Sequence, residues 1–305
     1  MVKKTDEIQD DELRVIGHPA ATNTGGEPKD RRWLIVAVVA AIIAVAAALV
    51  IVLGQKEEQT VTEPETVQEV FDPAPVAEAP EAVPEEVLPL GDYADTTGKA
   101  YTEHLQMSVN DIPLDVYIPH NAEPKLSIGT PDIHDRSIVL VTQAADIRAD
   151  NGKINGAFVL AGEPKAWGLS KKGYVGIIDG KVTVGVADNS PLFEEATEKG
   201  GYFFRQYALV DNGTLVENAP KGKAVRKAIC DRAGEIIVVM SQTPESFHDF
   251  AQALIDMQVD NAVYLVGADS YGYFRDKFDH FTQIYEKRRG GYKYENYIKW
   301  CVSDR

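Results

Sequence analysis

Cysteine is nearly absent from this chain: its 305 residues hold two, Cys230 and Cys301, and the six histidines are scattered. No Cys/His spacing of a zinc site occurs. The two thiols permit one disulfide or two free, buried groups, and their spacing decides neither. Basic charge is also scarce, with 31 Lys and Arg against 47 Asp and Glu and a net charge of −16. That balance excludes the basic footprint of a nucleic-acid-binding domain. Nucleophile elbow, phosphate loop, zinc helix and calcium loop are all missing. The sequence therefore calls for no cofactor and no metal.

What the chain does have is one long apolar run, Trp33–Leu53 (WLIVAVVAAIIAVAAALVIVL), with no charged residue in it. About 20 apolar residues at about 1.5 Å each span the hydrocarbon core of a bilayer. The run predicts a single transmembrane helix over 33–54, with the lipid bilayer as its partner. It is too long for the apolar region of a cleaved signal peptide. Lys29, Arg31 and Arg32 precede it and Glu57 and Glu58 follow it. Basic flanks resist translocation, so the expected arrangement is a single pass through a bacterial inner membrane. The N-terminus is then cytoplasmic and the C-terminal domain periplasmic or extracellular.

The charge is unevenly spread. Residues 1–32 carry six basic and seven acidic residues and few large apolar ones, which predicts a disordered tail. Residues 55–90 are rich in Glu and Pro, with one basic residue against ten acidic, and read as a semi-stiff spacer. Residues 91–305 are nearly balanced, at 24 basic and 30 acidic, and are long enough for one domain with its own core.

Strand signals dominate that domain. His104–Val109 and Ile112–Ile118 flank Asn110-Asp111, and Tyr174–Ile178 and Lys181–Val186 flank Asp179-Gly180. Both read as hairpins with two-residue turns. Tyr202–Val210 reads as one strand, Ser137–Thr142 as a buried one, and Val225–Cys230 with Glu235–Met240 as a third hairpin. One helix stands out, with Thr243 as cap, Pro244 at its first position, and Phe247, Phe250, Ala251, Leu254 and Ile255 at core-facing spacing. The strand Ala262–Val266 follows. The aromatic C-terminus (Tyr285, Tyr292, Tyr294, Tyr297, Trp300) reads as a two-stranded extension. The expected fold is α+β: a single mixed or antiparallel sheet-rich domain with one prominent helix, preceded by the transmembrane helix and the Pro/Glu-rich linker.

An ordered set of short motifs runs through Ser137–Phe274: Asn155-Gly156-Ala157-Phe158, then Leu209-Val210 with Gly213, then Arg226 with Ala228-Ile229, then Leu265 with Gly267 and Ser270. This order resembles the phosphodiester glycosidase family. Val266 stands at the aspartate of the family's Asp-Gly-Gly motif. Ala268, Asp269 and Cys230 replace glycines, and Ala208 stands at a proline.

The resemblance implies a glycan or sugar-phosphodiester ligand, either hydrolysed or, in a catalytically inactive relative, only bound; a module that binds a protein is the further alternative. Expulsion of a phosphate needs less protonation than expulsion of an alkoxide, so a guanidinium fork on the phosphate oxygens can carry much of the chemistry. Arg226 is the candidate for that role, with Asp269 as the acid nearest the lost aspartate. Asp146, Asp150 and Asp179 are the other acids near the motifs. Asn155, Gly156, Gly267 and Ser270 are the expected substrate-binding residues. Each has a plain structural reading too: Arg226 on a strand face, and Asn155 bonding its own turn.

Overall fold

The computed structural model describes residues 87–91, 98–267, 270–286 and 291–303, all within the unit Glu81–Arg305. The Trp33–Leu53 run, its tail and nearly all of the linker lie outside these residues. Among the described residues no helix is long and apolar enough to cross a membrane.

The described residues form three antiparallel sheets. The first has seven strands, in the order β1 (Tyr101–Val109), β2 (Ile112–His120), β13 (Glu235–Ser241), β12 (Lys227–Arg232), β14 (Asn261–Leu265), β10 (Ala208–Asp211) and β11 (Thr214–Leu215). The second runs β16 (Phe281–Tyr285), β15 (Gly272–Arg275), β4 (Ile138–Gln143), β17 (Asn296–Val302) and β3 (Ala122–Ile128). The third runs β6 (Glu163–Trp167), β5 (Ala157–Leu160), β9 (Tyr202–Gln206), β7 (Gly173–Ile178) and β8 (Lys181–Val186). Two short helices complete the described structure, α1 (Leu192–Glu198) and α2 (Phe247–Asp256). The α+β expectation is thus corrected to a mainly-β fold, and the transmembrane helix that was part of it is not shown. The helical share shrinks because the one strong amphipathic segment is only ten residues long.

The local turns form as their dipeptides require. Val109 faces Ile112 across Asn110 (φ 52°) and Asp111 (φ 62°), and Ile178 faces Lys181 across Asp179 (φ 52°) and Gly180 (φ 76°). Positive φ at both central residues matches the twist of a two-residue hairpin. Tyr202–Val210, expected as one strand, breaks at Tyr207, so that β9 and β10 enter different sheets.

Helix α2 starts three residues later than Thr243 suggested. Glu245 exchanges backbone hydrogen bonds with Ala224, which keeps it extended, and Ser246 Oγ caps the helix by accepting from Asp249 N at 3.0 Å. Of the C-terminal aromatics, Tyr285 lies on the edge strand β16, and Tyr292 and Tyr294 are exposed. Strand β17 lies between β4 and β3, with Tyr297 and Trp300 buried. Cys230 on β12 and Cys301 on β17 belong to different sheets, are both buried and are not joined in a disulfide.

The central strands of the first sheet are buried on both faces, which explains their unbroken apolar runs. Ile229, Val238, Met240, Val263 and Leu265 face a core shared with residues of the other two sheets, among them Leu140, Phe204 and Trp300. Ala228, Cys230, Ile237, Val239 and Ala262 face the opposite way, against Phe247, Phe250, Ala251 and Leu254 of α2. Burying each large apolar side chain contributes about 1.5–3 kcal/mol. Alternation along β12 therefore sends Arg226 and Lys227 to opposite sides of one sheet.

Candidate functional site

The sequence motifs converge where β4 and β14 end. Asn296 is fully buried and holds the chain leaving β4: its Oδ1 accepts from Ala145 N at 2.7 Å and its Nδ2 donates to Ala145 O at 3.1 Å. Val266 N donates to Ala144 O at 3.3 Å and so joins the end of β14 to the same place. The next residue, Asp146, is thereby fixed in position.

Asp146 accepts a 2.8 Å hydrogen bond from Lys171 Nζ. Its side chain is 25% exposed, that of Lys171 only 4%. The ammonium also donates to Gln206 Oε1 at 2.8 Å and sits 3.4 Å from the centre of the Tyr207 ring. A buried cation held by a carboxylate, an amide and an aromatic face offsets its desolvation cost by all three means.

Gln206 Oε1 accepts a second bond from Tyr207 N at 3.0 Å, which fixes the orientation of the amide. Its Nε2 is buried without a hydrogen-bond partner among the described residues. A buried donor left unpaired costs about 1–3 kcal/mol, which a ligand acceptor would recover.

Two glycine-bearing loops meet beside the Asp146 segment. Asn155 N donates to Asp146 O at 2.8 Å, so Asn155 and Gly156 lie beside the carboxylate-bearing segment. Gly156 has φ 100°, and a Cβ on Gly168 would lie 3.2 Å from Gly156 Cα. The two backbones therefore touch where only glycine fits. Asp150 binds Arg148 at the surface through two bonds of 3.0 and 2.9 Å, and this lowers its pKa. Asp179 sits in its hairpin turn, 76% exposed.

Arg226 is 6% exposed. Its Nε donates to Glu245 O at 2.8 Å, its Nη2 donates to Gly222 O, and its guanidinium lies 4.0 Å from the Phe247 ring centre. The Arg226 guanidinium lies 5.9 Å from the Tyr264 ring centre, and the charges of Arg226 and Asp146 both act on the Tyr264 hydroxyl. Burial and then the Asp146 charge push its hydroxyl pKa up, and a hydrogen bond from Gly267 N and the Arg226 charge oppose that. The Gly267 N–Tyr264 Oη distance is 3.1 Å, and a Cβ on Gly267 would lie 2.3 Å from Val225 O. Ser270 Oγ donates to Val266 O at 2.6 Å and accepts from Lys227 Nζ at 3.0 Å. Asp269 lies outside the described residues.

Asn155, Gly156, Gly267 and Ser270 thus flank one region together with Asp146, whereas Arg226 donates to the backbone carbonyls of Glu245 and Gly222 and also hydrogen-bonds the Tyr264 side chain. Sequence reasoning missed Lys171, Gln206, Tyr264 and Lys227. Lys227 alone carried a signal, as a lysine in an apolar strand sharing a face with Ile229. A crevice of about 700 Å³ lies elsewhere, between the His120–Asn121, Gly180 and Gly234 hairpin tips, and none of these residues lines it. Among the described residues no group of His, Cys, Asp or Glu side chains is arranged to hold a metal ion.

Two solved structures are similar in fold. One is the catalytic domain of zebrafish N-acetylglucosamine-1-phosphodiester alpha-N-acetylglucosaminidase, auto-inhibited by its pro-peptide. It is 10% identical, with 68% of this chain and 83% of that one covered and a TM-score of 0.46. The other is a hypothetical protein from Synechocystis, 13% identical over 66% of this chain and 62% of that one, with a TM-score of 0.48. No family model and no curated protein matches the chain. At these identities the likeness is one of fold outline, and the role of each side chain rests on the geometry above.

Proposed function

We propose that the protein binds a sugar phosphodiester, as found in envelope glycans, beside Asp146 and hydrolyses its glycosidic bond to phosphate. The observation that carries this reading is the Asp146–Lys171 pair: a buried ammonium presenting a partly exposed carboxylate, with Gln206 beside it, whose Nε2 has no hydrogen-bond partner among the described residues. The order of motifs around the pair agrees with it.

Glycosidases commonly use two carboxylates, one to protonate the leaving group. A phosphate leaves without that help, so one well-held carboxylate suffices to attack, or to direct water at, the anomeric carbon. Gln206 Nε2 then donates to a sugar hydroxyl or phosphate oxygen. Arg226 takes a positioning role, fixing the entry to α2 and the Tyr264 ring. The extracytoplasmic setting expected from the sequence is where such a ligand would be met.

The test is hydrolysis of an N-acetylglucosamine phosphodiester by the full chain and by Asp146→Asn. Loss of a nucleophile or base that contacts the reacting centre lowers kcat/KM by about 10²–10⁴-fold. Tight binding without turnover, weakened by Asp146→Asn, would make the protein a glycan-binding module. Turnover unchanged in Asp146→Asn removes the assignment.

A further inference from the structure

We propose that Ser270 and Lys227 form a second reactive pair, in which the Ser270 hydroxyl attacks the carbonyl of an ester and the Lys227 amine takes its proton. The pair is distinct from Asp146–Lys171 and does not rest on the glycan reading.

Lys227 Nζ lies 3.0 Å from Ser270 Oγ, and Lys227 is fully buried. Among the described residues Ser270 is its only hydrogen-bond partner and no carboxylate pairs with it. Its neighbours on that face of the sheet are apolar, including Ile229 and Met240. A lysine kept only for packing gains nothing over methionine there and bears the full cost of desolvating an ammonium. That cost drives the amine toward its neutral form, with its pKa lowered to about 7 by burial. A neutral amine within hydrogen-bond reach of a hydroxyl is the arrangement a serine nucleophile needs.

The turn fixes the hydroxyl. Ser270 N donates to Gly267 O at 3.2 Å and Ser270 Oγ donates to Val266 O at 2.6 Å. Ser270 is 7% exposed and Lys227 not at all, so of the two residues the serine lies nearer the surface.

In the acyl step the hydroxyl proton turns from Val266 O to Lys227 Nζ as the Oγ–C bond forms. The ester C–O bond then breaks, and Nζ returns the proton to the departing alkoxide. Water attacks the acyl-serine, gives one proton to Nζ, and releases the acid with Ser270 Oγ reprotonated. The sum is ester hydrolysis, with no other reactant.

A fluorophosphonate probe applied to the full-length protein tests the pair. Oγ displaces fluoride from phosphorus, the proton leaves through Nζ, and peptide mass spectrometry reads the adduct. The expected result is an adduct on Ser270, formed faster as pH rises through about 7 and absent in Ser270→Ala. Labelling should slow by about 100-fold in Lys227→Met. Lys227→Arg keeps a charge that never deprotonates and should be equally slow, which covers the case in which Lys227→Met does not fold. No Ser270 adduct on folded wild-type protein overturns the proposal, as does equal labelling in a folded Lys227 variant. Neither readout needs a glycan, so failure here leaves the Asp146 reading standing and failure there leaves this one.

Discussion

Arg205 Nη1 donates to the carbonyl of Lys171 at 2.8 Å, and the same nitrogen donates to Ala187 O at 2.8 Å. The ammonium that holds Asp146 is therefore itself held, through its own backbone, by a cation 1% exposed. Burial lowers the Arg205 pKa, yet a guanidinium stays charged at any working pH. It joins the carbonyls of Lys171 and Ala187 through one nitrogen.

Arg205→Met should therefore free the 168–173 loop. Two carbonyls lose a charged donor, and each such bond contributes about 1.5–3 kcal/mol. A lower melting temperature and faster amide hydrogen exchange across 168–173 are expected, together with a fall in phosphodiester turnover. Exchange unchanged in that loop would show that other contacts hold it.

Gly267→Ala tests the close approach at the end of β14. The added Cβ would lie 2.3 Å from the backbone oxygen of Val225 and 3.0 Å from Tyr264 Oη. Neither backbone can yield without moving, and overpacking of this kind costs about 1–3 kcal/mol. Thermal unfolding should show that loss, with turnover reduced further because the Gly267–Tyr264 bond is displaced.

Arg226→Lys should separate stability from chemistry. A lysine cannot donate to both Gly222 O and Glu245 O while lying over the face of the Phe247 ring, and the loss is about 2–3 kcal/mol of folding free energy. If Arg226 positions and does not bind phosphate, kcat/KM stays within about threefold, less than 1 kcal/mol of barrier. A hundredfold fall with an unchanged melting temperature would restore the phosphate-fork role that the family resemblance implied.

What could be read in the sequence was what neighbours along the chain decide. Asn110-Asp111 and Asp179-Gly180 set their turns by their own backbone preferences, so the β1–β2 and β7–β8 hairpins were legible. The assembly of three sheets was not, because β4 finds its partners in β15 and β17, more than a hundred residues away. The α2 cap moved to Ser246 for a similar reason, since the competing partner of Glu245 is Ala224. At the candidate site, Asn155 and Gly156 lie beside the segment that carries Asp146, as Asn155 N donates to Asp146 O. Lys171 and Gln206 did not announce themselves: they reach Asp146 from a loop and from a strand end that only the fold brings together. Lys227 was legible as an anomaly, a cation on the buried face of a strand.

That anomaly predicts how stability depends on pH. The Lys227 pKa is lowered from 10.5 to about 7 in the folded protein by desolvation. Between those values the unfolded chain holds a proton that the folded protein lacks, so stability rises with pH across that window. Below about pH 7 the folded protein carries a buried ammonium and bears the whole penalty, on the order of a few kcal/mol. Lys227→Met removes the charge while keeping an unbranched apolar chain in the same space. It should raise the melting temperature most near pH 6, and its advantage should fade toward pH 10. Because every other titrating group is common to the two proteins, the difference between their melting temperatures isolates this one. A difference constant from pH 6 to 10 would mean that Lys227 reaches solvent in the folded state, and its role as a base for Ser270 would fall with it.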